Sequence, residues 1–165
     1  MPKDGEHEAR SAALCGELTH SGHRLEARVY FADTDFSGVV YHARYLEFLE
    51  RGRSDYLRLV GIHHTELAAG SQGERIVWVV RRMEIDFRSP ARIDDILTIE
   101  TRAEAISGAR IFMAQRILRD DELLIEAKVE AAIIGESGRP RRFPREWVER
   151  FLPEGRADAA ARRRS

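Results

Sequence analysis

One helical stripe constrains what this chain can fold into. Tyr41, Tyr45, Phe48, Leu49, Gly52, Tyr56, Leu59 and Val60 recur at a spacing of about 3.6 residues, widened by Leu46 and Leu57, while Arg44, Glu47, Arg51, Asp55 and Arg58 fall outside the stripe. Gly61 is placed to stop the helix. A helix that is apolar along one wide side needs a partner to cover it, and the other patterned segments carry the period of two that marks strands. From His23, Leu25, Ala27, Val29 and Phe31 oppose Arg24, Glu26 and Arg28. Residues 76–88 open on an apolar run and end in alternation, with Met83, Ile85 and Phe87 against Arg82, Glu84 and Asp86. Residues 97–106, 110–119 and 123–134 follow, separated by Ser107-Gly108 and by Asp120-Asp121-Glu122, which are short turns of the antiparallel kind.

Five strands and one long helix inserted after the first predict an α+β fold, a curved antiparallel sheet wrapped around the helix. The open sheet edges suit pairing with a second copy of the chain. The 165 residues fit one domain, with boundaries at 22 and 152. Residues 1–21 are polar without a sustained period and read as a flexible tail, in which 12–18 could form a turn of helix. A short helical turn is expected at 65–69 and another at 145–152, after Pro144, with Trp147, Val148, Phe151 and Leu152 apolar. Residues 153–165 read as a second flexible tail.

Charge narrows the partners. A formal net charge of −1 gives no global attraction to nucleic acid or to an anionic membrane, and suits a small, partly anionic ligand. Cys15 is the single cysteine, so no internal disulfide can form, which agrees with the cytoplasm. No apolar run reaches the roughly 18 residues of a membrane span, and the polar, acidic start does not read as a secretory signal.

The chemistry is concentrated where the first strand meets the helix. Asp33, Thr34, Asp35, Ser37 and Gly38 make an acidic turn just ahead of a helix start, whose unpaired N–H groups can polarise a carbonyl. A carboxylate there could act as a base toward water or attack directly as a nucleophile. The same residues also fit an Asx turn that merely caps a helix, and chemistry alone leaves both readings open. Ser37 lacks the G-x-S-x-G elbow of a serine hydrolase. His63 and His64 have no third ligand at metal spacing, so no metal site is expected.

The order of residues goes further. Asp33-Thr34-Asp35, Gly38-Val39-Val40-Tyr41-His42, Tyr45-Leu46 and Glu50-Arg51-Gly52-Arg53, followed by Arg88-Ser89-Pro90-Ala91-Arg92 with Asp95, closely resemble the signature of the Tol-Pal-associated acyl-CoA thioesterases. That family lies within the 4-hydroxybenzoyl-CoA thioesterase group of hot-dog-fold proteins. The likeness extends more loosely to Arg139-Pro140-Arg141-Arg142-Phe143-Pro144. It implies a hot-dog fold and hydrolysis of a short-chain or aryl acyl-CoA. Asp35 would be the base or nucleophile, backbone N–H groups near Tyr41 and His42 would form the oxyanion site, and His42 would orient water or protonate the leaving thiolate. It also implies a homodimer or tetramer whose site two subunits build together, and no cofactor, since the coenzyme A thioester is the substrate. Acyl carrier protein is an alternative carrier, and a non-catalytic module that binds acyl carriers and scaffolds lipid or envelope enzymes is the alternative function. Two positions depart from the pattern: Arg44 stands where asparagine is usual, and Gly52 where alanine is usual. Glu50 occupies the helix position at which another hot-dog clade carries its acid, and is the second candidate base. Arg110, Arg141 and Arg142, with Arg139, are candidate ligands of the coenzyme A phosphates, for which guanidinium forks are well shaped.

Overall fold

A computed structural model describes residues 4–152. Helix α1 (Asp4–Leu14) precedes strands β1 (Glu17–Thr19) and β2 (Gly22–Arg28), a 3-10 turn (Phe31–Asp33) and the long helix α2 (Arg44–Leu59). Helix α3 (His64–Ala68), strands β3 (Val77–Phe87), β4 (Ile96–Ser107), β5 (Arg110–Arg119) and β6 (Glu122–Ile134), and helix α4 (Arg145–Phe151) follow. The fold is α+β, with one antiparallel sheet packed on α2.

The sheet has six strands in the order β1-β2-β4-β5-β6-β3, so β1 and β3 are its edges. The sixth strand corrects the reading of residues 1–21 as a tail: α1 and β1 lie in that stretch. Strand β1 has three residues, all exposed, and exists because the turn at Thr19–Gly22 folds it back on β2. So short a segment carries no period to read. The second tail, 153–165, lies outside the described residues.

Helix α2 is covered along its length by two apolar clusters. Its first half, with Tyr45, Phe48 and Leu49, packs on Leu97, Ile99, Ile117 and Ile125. Its second half, with Tyr56 and Leu57, packs on Ile111, Met113, Val129 and Phe151. Each such side chain contributes roughly 1.5–3 kcal/mol when fully buried. Between the two clusters lies a polar layer. Buried Gln115 donates from Nε2 to Thr101 Oγ1 (2.8 Å) and to the Leu49 carbonyl (2.9 Å), and its Oε1 accepts from Arg53 (2.9 Å). Gly52 gives this layer room, since a Cβ there would lie 2.7 Å from Ile99 Cγ2 and 3.1 Å from Thr101 Oγ1.

Candidate active site

The junction is built by short-range hydrogen bonds that its polar residues dictate. The Tyr30 N–H donates to Asp33 Oδ2 (2.8 Å) and Thr34 Oγ1 donates to the Phe31 carbonyl (2.8 Å), closing the 3-10 turn. Asp33 therefore serves the turn. Thr34 then bridges to Val40, and between them the Asp35 N–H donates to Val39 O (2.9 Å) and the Gly38 N–H to Asp35 O (3.0 Å). This loop requires a left-handed residue, which Gly38 supplies at φ 80°, with open space where a Cβ would stand. Backbone freedom, not crowding, selects glycine here.

Asp35 projects from that loop into solvent. Its Oδ1 accepts from the Ser37 hydroxyl (2.5 Å) and the Ser37 N–H (2.8 Å), while its Oδ2 has no partner among the described residues. The two Ser37 bonds, with a smaller contribution from His42, hold the carboxyl below the ordinary aspartate value of 3.8. Asp35 is thus an ionised group with one free oxygen.

The helix start lies directly after this loop. The Tyr41 N–H donates to Asp33 O (2.9 Å), and the Tyr41 carbonyl accepts from Arg44. Tyr41 itself is therefore not a free donor, whereas the N–H groups of His42 and Ala43 have no acceptor among the described residues. The His42 ring is exposed, 4.7 Å from Tyr41 and 6.3 Å from Phe87 by ring centroids. A groove of about 240 Å³ runs past it, lined by Val40, His42, Tyr45, Phe87, Ser89 and Pro90. The 89–91 stretch is strapped to the junction, since the Val40 N–H donates to Ala91 O (2.9 Å) and the Ala91 N–H to the buried Tyr45 hydroxyl (2.9 Å). That strap explains why two distant segments share one signature.

The other candidates fall elsewhere. Arg44 folds back on the 3-10 turn, 3.0 Å from Ala32 O and 3.5 Å from Asp33, and also pairs with Glu47. Glu50 is exposed midway along α2 and accepts a short hydrogen bond from Ser54, whose Oγ lies 3.3 Å from His64 Nε2. Arg110 pairs with Glu130 (3.1 Å) and Arg141 with Glu74 (2.8 Å), while exposed Arg142 has no carboxylate partner among the described residues. Arg110 lies opposite Ala132 on β6, whereas Phe87, in the groove, lies opposite Ile125. Seven residues of strand, roughly 23 Å, separate these positions, so one chain does not bring the arginines to Asp35. Among the described residues no group of three His, Cys, Asp or Glu side chains could hold a metal ion, and no helix is long and apolar enough to cross a membrane. Arg53 went unrecognised: its place in the Glu50-Arg51-Gly52-Arg53 run was visible, but not its inward direction.

A sheet wrapped on one long helix, with an acidic loop leading into that helix, defines the hot-dog class. The model of the thioesterase-like superfamily matches residues 29–152, and the chain belongs to that family. It is 38% identical over 135 residues to "Acyl-CoA thioesterase YbgC" of Haemophilus influenzae, covering 81% of this chain and 97% of the relative. It is likewise 38% identical over 130 residues to "Acyl-CoA thioester hydrolase YbgC" of Escherichia coli, covering 78% and 94%. Among solved structures, the probable thioesterase of Bartonella henselae is 60% identical with a TM-score of 0.72, covering 74% of this chain and 98% of that one.

Proposed function

We propose that this protein hydrolyses acyl-CoA thioesters to the free acid and coenzyme A, with Asp35 acting on the thioester carbonyl. The observation that carries this reading is the pairing of an ionised carboxylate, with one oxygen free, and the unpaired His42 and Ala43 N–H groups that follow it at the helix start. The family and the acyl-CoA thioesterases among its relatives support it.

In the base route, Asp35 takes a proton from water as the water oxygen bonds to the carbonyl carbon. The oxygen of the tetrahedral intermediate takes up negative charge and accepts from the N–H groups, a contribution of roughly 10²- to 10³-fold per donor. Collapse breaks the carbon–sulfur bond and releases the coenzyme A thiolate, which takes up a proton, with His42 placed to give it. In the nucleophile route an Asp35 oxygen bonds to the carbonyl carbon, the carbon–sulfur bond breaks with loss of the coenzyme A thiolate, and water then opens the mixed anhydride to the free acid and the Asp35 carboxylate. The depressed pKa of Asp35 makes it a weak base and keeps it anionic for either role. A single turnover in heavy-oxygen water bears on the routes, because heavy oxygen found in the Asp35 carboxylate shows an anhydride opened at the aspartyl carbon, which the base route cannot give.

The site is completed by a second copy. Strand β3 is an edge with open hydrogen-bonding groups, and Val80 and Phe87 on it are large exposed apolar residues. Antiparallel pairing of two β3 edges runs the Val77 end of one copy toward the Phe87 end of the other. Of the candidate phosphate ligands, Arg110 and Arg141 are held by carboxylates, whereas Arg139 and Arg142 have no carboxylate partner among the described residues and take that role most readily.

Purified protein on a panel of acyl-CoA chain lengths and aryl acyl-CoAs, beside Asp35→Asn, tests the assignment. Wild-type turnover with a loss of about 10²- to 10⁴-fold in the variant is expected. Equal hydrolysis by both proteins rejects Asp35, and no hydrolysis of any thioester favours a binding module.

A further inference from the structure

Behind α2, away from Asp35 of the same chain, lies a second cavity of about 150 Å³. Leu57, Val79, Met113 and Ala131 give it apolar walls, and Arg53 and Trp78 line it as well. In a protein interior this volume accommodates a guest about the size of benzene, enough for a short acyl group.

One polar group in the walls lacks the partner that burial demands, and a second, partly buried, is only partly matched. The Arg53 guanidinium carries five N–H donors, yet its one hydrogen bond among the described residues is Nη1 to Gln115 Oε1 (2.9 Å), and no carboxylate lies within ion-pair distance. Burial pushes the Arg53 pKa down, with Glu50 opposing that shift from a distance. The indole Nε1–H of Trp78 is buried without an acceptor. Its ring is fixed by stacking on Trp147 at 6.1 Å and by an edge contact with Phe143 at 5.3 Å. An apolar wall alone would call for a hydrocarbon guest, whereas a buried donor left unmatched, as the Trp78 N–H is, costs about 1–3 kcal/mol. Glu50 also lines the cavity but is exposed, with its carboxylate in contact with Ser54.

We infer that the cavity takes the far end of the acyl group and that Arg53 and Trp78 select an aliphatic acyl chain tipped with an oxygen acceptor over its plain hydrocarbon isostere. This rests on the thioesterase reading with a two-copy site, in which antiparallel β3 pairing brings the Trp78 end of one copy toward the Phe87 groove of the other. Arg53 and Trp78 are specificity residues in this account. Neither acts on the thioester carbon.

The test uses the full chain and coenzyme A analogues whose thioester sulfur is replaced by NH, so that binding is read without turnover. Calorimetry compares the 4-hydroxybutanoyl analogue with its isostere, the pentanoyl analogue, on wild type, Arg53→Gln and Trp78→Phe. Because Arg53 also holds Gln115, Trp78→Phe provides a variant that leaves that bond in place. Wild type is expected to bind the hydroxyl analogue roughly 10- to 100-fold more tightly, the size of one hydrogen bond to a charged group, and both variants should shrink that ratio. Equal binding of the two analogues by wild type, or a ratio that survives in both variants, overturns the inference. A preserved ratio in a wild type that hydrolyses no thioester rejects the hydrolase reading alone. Hydrolysis without a binding preference rejects the selectivity alone.

Discussion

At the scale of single residues, Ser37 decides the working range of Asp35. Because its two bonds favour the ionised carboxylate, Asp35 holds its charge until the pH falls through a value below 3.8. The sign is that of a depressed acid: the anion is fully present above the ordinary value and lost on acidification through the folded one. Ser37→Ala removes the hydroxyl bond and keeps the backbone bond, so the acid limb of kcat/KM should move to higher pH while turnover near pH 7 changes little. Profiles of both proteins from pH 3.5 to 7 check this, and an unmoved limb means that Asp35 does not set it. Gly52 is a second residue whose role depends on its surroundings. Helix propensity favours alanine by up to about 1 kcal/mol, but the added methyl must displace Ile99 Cγ2, which is fully buried and 2.7 Å away. Overpacking of this kind costs about 1–3 kcal/mol, so Gly52→Ala should destabilise the fold by about 1 kcal/mol in a denaturant titration, although helix propensity alone favours alanine.

Among the elements, the amino-terminal segment is held by one polar clasp. Asp55 on α2 accepts at Oδ2 from the Gly16 N–H (2.7 Å) and lies 2.7 Å from Nε2 of the buried His23 on β2. His23 in turn stacks on Tyr56 at 5.5 Å. Asp55→Ala leaves the Gly16 N–H and the His23 ring without this acceptor, a loss of about 2 kcal/mol, and faster amide exchange across Glu17–Thr19 should accompany it. Unchanged exchange there would show that the β1–β2 hairpin holds without the clasp. None of this was legible in the sequence, where Asp55 falls on the polar side of the stripe and Gly16 and His23 lie more than thirty residues away. What was legible had a local period: α2 from its 3.6 repeat, and β2 to β6 from their alternation, each to within a few residues. The junction was legible as a signature, and the structure adds that Asp33 serves the turn, that Tyr41 N–H is already engaged and that Arg44 folds back on Ala32. Such assignments depend on which donor reaches which acceptor, which spacing along a chain does not encode.

For the whole molecule, the position of β3 decides whether one chain can work alone. Asp35 and the Phe87 groove lie at one end of α2, the Arg53 cavity lies behind its middle, and the candidate phosphate ligands lie roughly 23 Å along the sheet from the groove. A monomer leaves these parts apart. A two-fold pair joined at β3 covers an open edge and sets each groove against the other copy's cavity, so assembly and activity should be lost together. Val80, exposed at 48% near the middle of β3, is the place to test this, because a second copy paired at this edge would cover it. Val80→Asp places a carboxylate in this exposed apolar edge, beside the register shift between Val80 and Arg82, and removes apolar surface that a second β3 would cover. Sedimentation velocity should find the variant as a single-copy species at concentrations where wild type is paired, and because Val80 also borders the Arg53 cavity, activity is followed on wild type, whose kcat/KM on acyl-CoA should fall on dilution in step with its own paired fraction. A single-copy species that keeps wild-type turnover would place the complete site within one chain, and an undisturbed pair would put the interface on another face.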